Sequence, residues 1–283
     1  MKALRGAGRG APVGPDDFQE ELRLKAFGFP EDIKVCADIY RRAAVPLLAQ
    51  QRHIDLSDLQ FGVKDWEHFR GSLPCFTSLE RMTLWRMDLR PEVLGTLFDQ
   101  VPVGAHFSDL SIFGSHGLGC AGVSALVRYF CASSGPFSNL AELDLRDNNI
   151  RAPGCLALAD AFAAGAVPSL TQLKLCLNPI ESKGIIHLAN IPASALLRVG
   201  LFGLEDCSID DKGALALAKG FERGILPSIR HVSEYEDEER HSGSCTHFTF
   251  GHSGYLSLMD NTSISVAGRK AIAVALKPRT DSV

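Results

Sequence analysis

The sequence predicts an α/β solenoid of stacked strand–helix units, and two observations carry that expectation. A block of apolar positions, first alternating and then at helical spacing, recurs along most of the 283 residues. Its first positions are Gln51, Leu79, Phe107, Leu140, Leu170 and Val199, in steps of 28, 28, 33, 30 and 29 residues. Self-similarity at a period of this size is the mark of a chain that buries its core only by stacking neighbours.

From the N-terminus, residues 1–15 are rich in Gly, Arg, Ala and Pro and are expected to be a disordered tail. Residues 16–50 read as a helical cap of two helices, Asp16–Ala26 and Glu31–Gln50. Ile33, Cys36, Tyr40 and Leu47 fall roughly on one face of the second, and Pro46 is expected to kink or end it. Such a cap covers the core that the first repeat would otherwise expose. The solenoid itself is expected over 51–276, with an insertion at about 230–254 and a short tail at 277–283.

The clearest unit reads Leu140, Leu143, Leu145, Asn148, Ile150, Gly154 and Leu158-Ala159. It returns as Leu170, Leu173, Leu175, Asn178, Ile180, Gly184 and Leu188-Ala189, then as Val199, Phe202, Leu204, Cys207, Ile209, Gly213 and Leu217-Ala218. Weaker copies begin at Gln51, Leu79 and Phe107, and a last one runs from Leu256 through Asn261 and Gly268 to Ile272. In each, the L-x-L pair is a period-two strand pointing its leucines inward. The Asn at the following turn has an amide able to bond backbone groups of adjacent turns, and Cys207 substitutes there as a small, weakly bonding residue. The glycines stand at helix entries, where close stacking leaves no room for a Cβ. Leu158 with Phe162 and Leu217 with Phe221 form four-apart inward pairs, and Pro168 and Pro227 stop their helices.

This L-x-x-L-x-L-x-x-N/C-x-L pattern resembles the leucine-rich repeat, and the long helical segment with G-x-x-x-L-A resembles its ribonuclease-inhibitor-like subtype. The resemblance covers roughly residues 51–276. It implies a right-handed horseshoe of about seven parallel strands on the concave face, with helices on the convex face. It also implies a non-enzymatic protein-interaction module, an adaptor or sensor that holds a protein partner on the strand face. A second class is open: the same subtype occurs in the activating protein of the small GTPase Ran, and Leu145-Arg-Asp-Asn148 and Glu205-Asp-Cys207 are similar to its strand endings.

Composition narrows the remaining choices. No apolar run approaches the ~18 residues of a membrane span, and no apolar h-region follows Met1. A net charge of −4 argues against a nucleic-acid partner. Eight cysteines without a C-x-x-C pair suggest reduced thiols, no structural disulfide and a cytoplasmic location. The expectation is therefore a monomer with a protein partner, no membrane or nucleic-acid contact and no cofactor.

Few residues suggest chemistry. His241, Cys245, His247 and His252, with His231 nearby, are ligand types that suit zinc, but H-x3-C-x-H-x4-H on one loop matches no zinc-finger spacing. This insertion, with its acidic run Glu234–Glu239, reads as a solvated loop, and no metal is expected. Gly117, Gly119 and Gly122 spell G-x-G-x-x-G, yet the repeat frame already accounts for Gly122. Cys155 falls on a packed helix and Cys207 in the turn column, so neither is expected to be a catalytic nucleophile. The ending Asp281-Ser-Val283 has the acidic-x-apolar form that PDZ grooves accept, although a frayed tail explains it as well.

The strand face holds the candidate site. The outward position after each L-x-L pair reads Ser57, Trp85, Phe113, Arg146, Cys176, Glu205 and Met259. Two aromatics and an arginine on successive strands match the composition of binding hot spots. Trp85, Phe113 and Arg146 are thus expected to form one exposed patch with Asp144, Lys174 and Glu205 as its polar rim. The alternative is that the rings are covered by a flanking segment, or turned inward by a one-residue frame slip.

Overall fold

Each L-x-L segment forms a short strand because its leucines alternate with polar residues and the following residue turns the chain. The computed structural model describes residues 12–24, 31–102, 105–131, 135–233 and 254–277. The repeats contribute β1 His53–Asp55, α3 Val63–Ser72, β2 Arg81–Trp85, α4 Pro91–Phe98, β3 Asp109–Phe113 and α5 Gly119–Phe130. They continue with β4 Glu142–Asp144, α6 Ala152–Ala163, β5 Gln172–Lys174, α7 Glu181–Ala189, β6 Leu201–Gly203 and α8 Asp211–Glu222. Last come β7 His231–Ser233, β8 Tyr255–Ser257 and α9 Val266–Ala275, behind two N-terminal helices, α1 Pro15–Arg23 and α2 Glu31–Ala49. The eight strands among the described residues are all parallel in one sheet, and successive helices line its other side.

The register puts like positions side by side. Ile54, Met82, Leu110, Leu143, Leu173, Phe202 and Leu256 run across consecutive strands as one buried row. At the strand ends, Asp58, Arg86, Gly114, Asp147, Leu177, Asp206 and Asp260 all take a left-handed backbone. In this turn column the N–H of Asp58 donates to Trp85 O at 2.9 Å and that of Leu177 to Glu205 O at 2.8 Å.

One residue further on, the turns are stitched together by side-chain amides. Asn178 Oδ1 accepts from the N–H groups of Asn148 and Ile150, both at 2.9 Å, while its Nδ2 donates to Leu145 O and Leu175 O at 2.9 Å. Asn261 does the same for Cys207 and Ile209, at 3.1 and 3.0 Å, and Asn148 accepts from the Ser115 N–H at 2.9 Å. Cys207 Sγ donates to Leu175 O at 3.3 Å, the role read for it from sequence. The column ends at Ser115, whose buried Oγ has no hydrogen-bond partner among the described residues.

The helix-entry glycines set the stacking distance. A Cβ on Gly184 would lie 3.3 Å from Ala152 Cα on the preceding helix, and one on Gly213 would lie 3.2 Å from Ser182 Cα. The 33-residue step from Phe107 to Leu140 is filled by Phe137, stacked on Phe107 at 5.1 Å and edge-on to Phe98 at 5.1 Å.

Two expectations change. Among the described residues eight strands replace about seven, because β7 falls in the stretch read as an insertion. The spatial order is β1-β2-β3-β4-β5-β6-β8-β7, so β8 lies beside β6 and the earlier strand β7 caps the edge. The number of residues between Ser233 and Tyr255 exceeds the dozen or so that a parallel connection needs. At the other end, α2 runs through Pro46, and Leu47 is 61% exposed while Leu48 packs on the core. Proline here removes one bond near the helix end, where three residues remain to follow it. Phe18 stacks on Tyr40 at 4.1 Å, Asp16 pairs with Arg41 at 2.8 Å, and Glu21 reaches His68 of α3 at 3.4 Å.

Candidate binding face on the strands

The alternation of β2, β3 and β4 turns Trp85, Phe113, Arg146 and Asp144 to the face opposite the buried leucines. Trp85 and Phe113 are direct partners in the β2–β3 register, their rings edge-to-face at 5.6 Å. The Trp85 indole N–H donates to Ser111 Oγ at 2.7 Å, which fixes the ring across the strand boundary. Arg146 lays its guanidinium over the Phe113 ring, Cζ 5.2 Å from the centroid. The same guanidinium grips Asp144 two residues back, with Nε–Oδ1 at 2.9 Å and Nη2–Oδ2 at 2.7 Å. These are charge-assisted bonds, and the flat fork fits both the ring and the carboxylate.

The row expected from sequence is therefore contiguous, but its exposure is not as expected. Phe113 is 9% exposed, Arg146 7%, Asp144 2% and Glu205 4%, and the Lys174 side chain is 13% exposed. Strands less than about 5 Å apart let these side chains cover one another laterally. Only Trp85 keeps a half-open ring. The expected rim also divides. Asp144 belongs to the stack, Lys174 pairs with Glu142 at 2.5 Å, and Glu205 accepts from Ser257 Oγ at 2.5 Å further along the sheet.

Ser111, Glu142 and Ser257 were missed because each is unremarkable within its own repeat. Reading diagonally between columns would have found Glu142 for Lys174, since Glu142 faces Gln172 and Lys174 lies two residues on. Arg86, in the turn column, likewise pairs with Asp58 of the preceding repeat at 2.5 Å.

The cysteines of this frame are poor nucleophiles. Burial, with help from Cys120, pushes the Cys155 thiol up to about 12. Burial raises Cys176 and Cys207 as well, with Glu205 adding to the rise at Cys176. All three are protonated at neutral pH. The seven described cysteines are free thiols. No three His, Cys, Asp or Glu side chains are grouped to hold a metal among the described residues. His231 lies in β7 beside the Tyr255 ring, at 5.5 Å. His241, Cys245, His247, His252, the acidic run and the C-terminal tripeptide lie outside the described residues. No helix among the described residues is long and apolar enough to cross a membrane.

A family model described as Leucine Rich repeat matches residues 138–159, the unit that contains Leu140, Asn148 and Gly154. Comparison with curated proteins finds no match. Repeats of this kind are, in general, protein-interaction modules. One unit matched outright, and the same frame repeated across an all-parallel sheet backed by helices, support a leucine-rich repeat fold for the chain.

Proposed function

We propose that the protein is a non-enzymatic adaptor or sensor of the ribonuclease-inhibitor-like subtype, working in the cytoplasm and holding a protein partner on its strand face. The observation that carries this reading is the lateral row Trp85–Phe113–Arg146–Asp144, in which a half-open indole stands on a rigid, self-paired base. An aromatic anchor whose ring is already locked binds with little entropy left to lose. Trp85 is then the anchor, and the buried members of the row hold its platform. The free-thiol cysteines support the reducing compartment.

The test compares proteins captured by the tagged full chain and by its Trp85→Ala variant, quantified by mass spectrometry. A partner recovered by the wild type and depleted at least about tenfold by the variant supports the reading. An unchanged set of captured proteins overturns it. The reading also requires no turnover regulation: micromolar protein added to small GTPases leaves nucleotide hydrolysis at its basal rate, and acceleration would favour the activating-protein class instead.

A further inference from the structure

Two surfaces that no described residue covers occupy the N-terminal end of the solenoid, one hollow and one raised. The hollow is a cleft of about 590 Å³ between α3 and α4, floored by Phe61, Trp66, Val93 and Leu97. The repeat frame differs there. Later helices carry a glycine four residues before their core Leu or Ile, as Gly154 before Leu158 and Gly184 before Leu188. A Cβ at those glycines would lie 3.4 and 3.3 Å from a Cα of the preceding helix. In α4 that place, four residues before Leu97, belongs to Val93. A branched side chain thus lines the cleft where the later helices have no side chain at all.

The raised surface is α2. Val35 and Ile39 are 54% and 61% exposed, and Ala43 and Leu47 continue the line at four-residue intervals, also exposed. This is the spacing of a helix that seats in a groove. Charges match as well. Asp32 and Arg42 flank the ridge, Glu67, Glu92 and Arg70 edge the cleft, and none of the five has an ion-pair partner among the described residues.

We propose that the protein pairs with a second copy of itself, the α2 ridge of each seating in the α3–α4 cleft of the other. Arg42 then meets Glu67 and Glu92 of the opposite copy, and Asp32 meets Arg70. Both surfaces belong to one end of the solenoid, so reciprocal seating closes a twofold and stops at two copies. The strand face plays no part, so this inference and the proposed function stand or fall separately. From sequence a monomer is expected, and the oligomeric state in solution decides between the two.

Analytical ultracentrifugation of the full chain tests it, with Ile39→Asp and Val63→Asp as single variants. Ile39 lies on the ridge, while Val63, 77% exposed, lines the cleft, and circular dichroism verifies that both variants fold. The expected result is a species of twice 30.6 kDa whose dissociation constant rises about tenfold or more in either variant. The charge reversal Arg42→Glu weakens the pair, and Glu67→Arg with Glu92→Arg in the same chain restores it. A wild type that stays at 30.6 kDa overturns the proposal, and so does a dimer that either variant leaves unchanged.

Discussion

Trp85 and Phe113 are neighbours on adjacent strands, yet their losses have different costs. Phe113 supports the Arg146 guanidinium and is closed in, so Phe113→Ala should cost about 3 kcal/mol. Trp85 is half-open, and Trp85→Ala should cost about 1 kcal/mol. Urea denaturation of the two variants measures the difference, and equal losses would make both rings core. The turn column gives a second contrast. Asn178→Ala strips partners from several buried backbone groups and should cost about 3 kcal/mol. Ser115→Ala removes a buried hydroxyl that has no hydrogen-bond partner among the described residues, so its midpoint should stay level or rise.

At the scale of elements, α8 begins on Asp210, whose carboxylate accepts from the N–H groups of Lys212 and Gly213. The Ser182 hydroxyl, above all, holds that carboxyl below the usual aspartate range. Because the folded value is depressed, the cap stabilises fully above the unfolded value and fades as pH falls through the folded one. Asp210→Ala should therefore lower stability by about 1 kcal/mol at neutral pH, with the gap to wild type closing below about pH 4. The edge strands provide another prediction. Leu256 is fully buried between β6 and β7, whereas Val232 lies on the edge and is half-buried. Leu256→Ala should cost about 3 kcal/mol and Val232→Ala less than about 1.5. Chain order alone would rank them the other way, because β7 follows α8 directly.

Across the whole molecule, the repeat frame was legible because a solenoid writes its core once per turn, and Leu143, Leu173 and Phe202 fall in one row as their spacing requires. The swap of β7 and β8 was not legible. Val232 and Leu256 both fit the same frame position, and nothing local decides which takes the slot beside β6. Leu47 was misplaced for a similar reason, since Leu48 suits the inward face equally well by spacing. In the candidate site, adjacency followed from the columns, but burial did not. How far Arg146 covers Phe113 depends on its own fold back to Asp144, a contact between outward residues that no inward pattern records. The central claim is that this row holds a partner through its one open ring. Once a partner has been captured, the deciding measurement is its affinity for wild type and Trp85→Ala by calorimetry. A loss of roughly 30-fold, about 2 kcal/mol, in a variant that melts near the wild type is the predicted result. An unchanged affinity would contradict it and leave the row as packing alone.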